Sequence, residues 1–191
     1  MNFKSLAMYP FQDKDWVKKT LMGCIISIVP VLNILVLGYF LKCIQIGMSR
    51  RQVLPEWEDW ADHIRDGFMA FLIALIYLLI PILLAFPLMS VPVLGVFLLA
   101  IVVLLMGMLI PLAWAAYSGS KNFIDAFRLK DIIIKLGQII NPYAGAYLFT
   151  ALIFTLGITL VLLLPHLAFL WVLFIFYCGV IFFYLLGSIW N

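Results

Sequence analysis

Charge is missing from most of this chain. Residues 67–120 and 136–191 contain no Asp, Glu, Lys or Arg, so every charged side chain lies in residues 4–66 or 121–135. The charge-free blocks are 54 and 56 residues long. At about 1.5 Å per helical residue and roughly 20 residues per crossing, each holds two membrane spans and not three. Backbone polar groups in hydrocarbon must be satisfied within the chain, so each block is expected to be a helical hairpin.

Other scarcities exclude function classes. Only two histidines and three cysteines are present, and the cysteines (Cys24, Cys43, Cys178) are too far apart for metal-ligand spacing. Their odd number rules out a complete disulfide framework, and they read as small packing residues. No nucleophile elbow, phosphate-binding glycine loop or HExxH pattern occurs. The expectation is therefore a protein that is not an enzyme and carries no cofactor. No polar stretch is long enough for a soluble domain, so residues 1–191 form a single integral membrane domain. The N-terminus does not read as a cleavable signal, because no small-x-small site follows the first apolar run. A net charge of +3 suits membrane lipids as neighbours and gives no sign of nucleic acid.

What is present is hydrophobic: 66% of residues are apolar and 11% charged. The fold class is all-α, a polytopic helical membrane protein. Residues 20–41 are free of charge, but Pro30 and Asn33 stand at their centre. Proline removes a helical hydrogen bond, and asparagine places an amide at mid-bilayer. If the chain turns there, all twelve Lys and Arg fall on one side, as the positive-inside rule prefers. Turns at residues 87–92 and at Pro165-His166 complete three hairpins, with helices near 14–29, 33–49, 67–86, 93–117, 143–164 and 167–190. Five spans, with residues 20–41 crossing once, is the alternative.

Two amphipathic interfacial helices are expected besides these. In the first, residues 54–66, Pro55 takes the first helical position and Glu56, Glu58 and Asp59 complement the helix dipole. Trp57, Trp60, Ile64 and Phe68 would share one face, with the tryptophans at headgroup depth. The second, residues 122–140, would end at Asn141-Pro142. Residues 56–66 carry five acids and one arginine, and residues 121–135 four bases and two acids, so the two segments suit each other electrostatically.

Three constellations are candidates for function. Glu56, Asp59 and His63 recur at i, i+3 and i+7, which would offer a metal two carboxylates and an imidazole. One histidine is weak support for a metal, and the plainer reading is a solvated polar face. Trp57 and Trp60 with Glu56, Glu58 and Asp59 form a candidate partner-binding or interfacial segment, giving apolar anchors and charge together. Asn33, Thr155 and Thr159 (with Thr150 and Gly157 near the threonines) are either a polar lining or helix-packing positions. His166 has no partner acid or nucleophile beside it. The long spans contain no ionisable acid or base of the kind ion-coupled transport commonly employs.

Phe11 and Asp15-Trp16 lead into an apolar run containing Gly23 and closing on Gly38-Tyr39. Lys42, Arg50 and Arg51 follow, then Leu54-Pro55-Glu56-Trp57-Glu58-Asp59-Trp60 and Gly67. In this order the chain resembles an uncharacterised family of prokaryotic multi-pass membrane proteins, the domain of unknown function 4013 type. The resemblance is most specific over residues 11–70 and rests on hydropathy beyond them. It implies a prokaryotic cytoplasmic (inner) membrane and supplies no catalytic residue. The expected function is a small scaffold or accessory subunit with cytoplasmic termini, bound to another membrane protein or to copies of itself. The alternative is an oligomeric transporter or channel for a small solute. An enzyme acting on lipid would rest on the acidic cluster within residues 56–66 alone.

Overall fold

The computed structural model describes residues 8–164, 166 and 168–190, and among these every regular element is helical. Six α-helices follow one another: α1 (Trp16–Ile28), α2 (Asn33–Met48), α3 (Trp60–Met89), α4 (Leu94–Ser120), α5 (Leu129–Leu163) and α6 (Ala168–Trp190). Single 3₁₀ turns occupy Pro10–Gln12, Pro30–Leu32 and Phe123–Phe127. Five helical stretches are long and apolar enough to cross a membrane: Pro30–Met48 and the whole of α3, α4, α5 and α6. The thirteen residues of α1 reach only about 20 Å, short of a hydrocarbon core of about 30 Å. The protein is a polytopic helical membrane protein.

The first two hairpin turns lie close to the expected places. Val29 leaves the helix in extended backbone and Pro30 opens a 3₁₀ turn, where its missing N–H leaves no helical bond unmade. α1 therefore runs back against α2, and Lys18 and Lys19 arrive at the same end of the bundle as the loop after α2. Residues 90–93 join α3 to α4, with Val93 at φ 62°, a rare conformation for a β-branched residue. Pro165, the expected third turn, lies outside the described residues; His166 is exposed beside it.

The two segments expected as separate interfacial helices take other forms. Residues 51–59 are not helical, and α3 begins at Trp60 instead of Pro55. Residues 129–140 are the first turns of α5, which continues through Pro142. Inside a membrane bundle a proline can be carried when neighbouring contacts hold the helix together. Here the next residue, Tyr143, is fully buried and its hydroxyl donates to the Met108 carbonyl of α4 at 2.6 Å. At 35 residues, α5 is about 52 Å long, so its charged first turns stand clear of the hydrocarbon.

α2 is the central helix, packed most extensively on α6 and α3. Two pairs of glycines permit this. A Cβ on Gly38 would overlap the His63 carbonyl of α3, and one on Gly67 would overlap the Ile34 carbonyl of α2. On the other side, Gly47 lies against the Tyr184 carbonyl of α6 and Gly187 against that of Ile44. Such small-residue contacts are how membrane helices gain close packing without a hydrophobic driving force between them. Aromatic rings fill the remaining core: Tyr39 and Phe40 meet Phe176, Phe40 meets Phe183, and Trp114 donates to the Ala70 carbonyl at 2.9 Å. Away from this core the helices turn large apolar side chains outward, among them Leu83, Phe86 and Leu162.

Candidate functional site

Among the described residues, two polar centres contain buried titratable groups: Asp13 and Lys19 in one, His63 and Asp66 in the other. The first is built on Lys19 in α1. Its ammonium donates to Asp13 Oδ2 at 2.8 Å, to Glu56 Oε1 at 2.6 Å and to the Leu54 carbonyl at 3.2 Å, so each of its three protons has an acceptor. Asp13 also accepts from the backbone N–H of Asp15 at 2.8 Å and of Leu54 at 2.9 Å. Burial works against the Asp13 carboxylate. The Lys19 ammonium and the two backbone donors outweigh it and hold the carboxyl below its ordinary range.

This centre decides the shape of residues 51–59. Trp57 Nε1 donates to the Lys19 carbonyl at 3.0 Å, and its ring stacks on Tyr39 at 4.3 Å and on His63 at 5.3 Å. Tyr9 adds a bond to the Val53 carbonyl at 2.7 Å while its ring stacks on Tyr184. These contacts hold Leu54 and Trp57 inward, which a helix starting at Pro55 could not do. Tertiary bonding therefore overrides the proline-and-acid signal for a helix start. Trp57, expected at headgroup depth, is 5% exposed and belongs to the core. Trp60 does face outward, at 40% exposure.

The second centre joins α2, α3 and α4. Asp66, 1% exposed, accepts from Lys121 Nζ at 2.5 Å and from the Tyr117 hydroxyl at 3.3 Å, with Arg65 Nε 3.7 Å away. The acidic 56–66 and basic 121–135 segments thus meet through a pair in which Asp66 is buried and Lys121 is exposed. Lys121 takes a left-handed conformation (φ 57°) that ends α4. Nearby, His63 Nδ1 lies 2.8 Å from the Asp59 carbonyl and 3.2 Å from Lys42 Nζ. An Nδ1–H would donate to the carbonyl, whereas a bare Nδ1 would accept from the lysine. His63 Nε2 and the Tyr39 hydroxyl are buried with no partner among the described residues.

The sequence-derived candidates are therefore sorted by the fold. Glu56, Glu58 and Asp59 share one exposed loop. Glu56 and Asp59 do not share a helical face with His63, because both precede α3; the i, i+3, i+7 arrangement is not formed. The solvated-face reading fails at His63 and Asp66, which are buried. Asn33 is exposed at the first hairpin turn. Thr155 and Thr159 are exposed on α5, and each hydroxyl bonds its own helix four residues back, to Ala151 and Thr155, at 2.9 Å. Gly157 alone of that group is buried, against Ile175 and Trp171 of α6. Asp13, Lys19 and Tyr39 carry the site, though none is among the candidate site residues read from the sequence. Lys19 and its partners Leu54 and Glu56 lie 35 and 37 positions apart, and no spacing rule reports such a pairing.

A helical bundle with several membrane-crossing stretches and a polar centre at one end is a multi-pass membrane protein. The family described as Protein of unknown function (DUF4013) matches residues 22–166, and the chain belongs to that family. No curated protein and no solved structure matches it.

Proposed function

We propose that this protein is a non-catalytic scaffold or accessory subunit of a membrane complex, in the cytoplasmic (inner) membrane of a prokaryote. The observation that carries this reading is the form of residues 51–59. The loop is pinned from within by Lys19, Asp13 and Trp57, while the carboxylates of Glu58, Asp59 and Asp62 remain on the outside. A rigid display of charge loses little conformational freedom on binding, which favours a docking surface. The Glu56 and Asp59 side chains are 63% and 74% exposed, so their ion pairs leave them open to a partner's cations. Orientation follows from the positive-inside rule: the end that gathers the lysines and arginines faces the cytoplasm, and the termini with it.

Two experiments test the reading. Cysteines placed at exposed Lys14 and Ser120, in a chain whose native cysteines are replaced, are expected to react with a membrane-impermeant maleimide from the cytoplasmic face only. Labelling from opposite faces would remove the common orientation. Gentle detergent extraction followed by mass analysis is expected to recover a stoichiometric partner protein. Asp59→Asn together with Asp62→Asn should lower that recovery about fivefold, since an exposed charge pair contributes about 0–1 kcal/mol. Recovery of a homo-oligomer that passes solutes in liposomes, with flux changed by Asn33→Leu or Thr155→Val, would replace the scaffold by a transporter.

A further inference from the structure

The fold leaves three charges beside the Lys19 centre unused. Asp13, Lys19 and Glu56 satisfy one another, whereas the exposed heads of Asp15, Lys18 and Glu58 make no ion pair or side-chain hydrogen bond among the described residues. Together with Met22, Trp57 and Trp60 they line a cavity of about 310 Å³ between α1 and the 51–59 loop. Two apolar ridges lead away from it. Leu21, Ile25 and Ile28 continue from Lys18 along α1, and Ile64, Phe68 and Phe71 continue from Trp60 along α3; all six are exposed. α1 and α3 each pack on α2 and not extensively on one another, so both ridges stay open to the membrane.

We infer that this cavity holds the headgroup of a zwitterionic phospholipid bearing a primary ammonium, with its acyl chains along the two ridges. Lys18 supplies the point charge for the phosphate. Asp15 and Glu58 accept N–H bonds from the ammonium, and the outward face of Trp60 adds a cation–π surface. A quaternary ammonium has no N–H to give and is recognised by several aromatic faces. Here the Trp57 ring is already covered by Tyr39 and His63, which leaves Trp60. An anionic headgroup is disfavoured, since the cavity wall carries Lys18 and Lys19 against the three carboxylates of Asp15, Glu56 and Glu58.

Native mass spectrometry of the full chain in mild detergent tests this, with palmitoyl-oleoyl phosphatidylethanolamine, phosphatidylcholine and phosphatidylglycerol offered at equal concentration. One phosphatidylethanolamine is expected to be retained about fivefold or more over either other lipid. Lys18→Ala and Asp15→Asn should each bring its retention down about fivefold, the size of one exposed charged contact. Neither should move the melting temperature, because neither side chain has a partner among the described residues. Glycerophosphoethanolamine, the same headgroup without acyl chains, should compete at least about tenfold less well. Equal retention of the three lipids, a preference for phosphatidylglycerol, variants that bind as the parent does, or equal competition by the chain-free headgroup would each overturn the assignment. The inference does not depend on a protein partner, whose recovery Lys18→Ala should leave unchanged.

Discussion

Lys19→Met is expected to lower the apparent melting temperature in mild detergent by about 10 °C. Lys19 is 5% exposed and Asp13 7%, so the substitution leaves a carboxylate buried without its cation. Removing one member of a buried pair costs about 3–5 kcal/mol, and about 2–4 °C accompanies each kcal/mol in a domain of this size. Glu56 adds little to the loss, because its side chain is largely in water. The pH response distinguishes this cause from lost packing. In the parent, Asp13 titrates below its ordinary range. Its stabilisation is therefore present above the unfolded value of about 3.9 and is lost as pH falls through the lowered folded value. In Lys19→Met, burial acts on Asp13 without the ammonium, and only the backbone donors of Asp15 and Leu54 still favour the carboxylate. The stability lost on acidification should then be smaller in the variant than in the parent. Adding Asp13→Asn to Lys19→Met should restore part of the melting temperature, since the neutral amide removes the uncompensated charge while its oxygen can still accept from one of the backbone N–H groups of Asp15 and Leu54. Thermal scans at several pH values, followed by fluorescence-detected size exclusion, read all three outcomes. A single variant that melts like the parent would remove Lys19 as the centre of the site.

Gly38→Val and Gly67→Val should each destabilise the bundle by about 1–3 kcal/mol or more, although helix propensity argues the opposite. A glycine in a helix is about 1 kcal/mol less favourable than alanine, so adding a side chain normally helps. At these two positions the new Cβ meets the backbone carbonyl of the neighbouring helix, which cannot rotate away as a side chain would. The helices must separate, and overpacking of this kind carries the cost quoted. The effect should extend to the site, because Gly38 lies against His63 and Tyr39 follows it in α2. Gly137 in α5 is the control: nothing lies within 4 Å of its would-be Cβ. Gly137→Ala should leave the melting temperature unchanged or raise it slightly. If Gly38→Val also leaves it unchanged, α2 and α3 do not cross as described.

Both expectations rest on contacts that spacing alone does not report. The helices of the second and third hairpins are legible because residues 67–120 and 136–191 contain no charge. Pro30 with Asn33 marks the first turn, and the family is legible in residues 11–70. The exposure of Glu58 and Asp59 is legible too. The inward turn of Trp57 is not, since residues 54–60 read locally as a helix start. Nor is the continuation of α5 through Pro142, which depends on Tyr143 reaching Met108.

Insertion into a bilayer is decided segment by segment, through the cost of each residue in hydrocarbon and the need of each backbone group for a partner in its own helix. Length, composition and charge position therefore determine by themselves that this protein is a polytopic helical bundle, and roughly where its helices turn. Polar pairing is decided between segments. Which lysine neutralises which carboxylate depends on which helices become neighbours, and that follows from glycines allowing α2 to lie against both α3 and α6. Only the tertiary structure could thus bring Lys19 to Asp13 and Glu56, and Lys121 to Asp66, because the desolvation that makes those pairs matter arises only once the helices have packed.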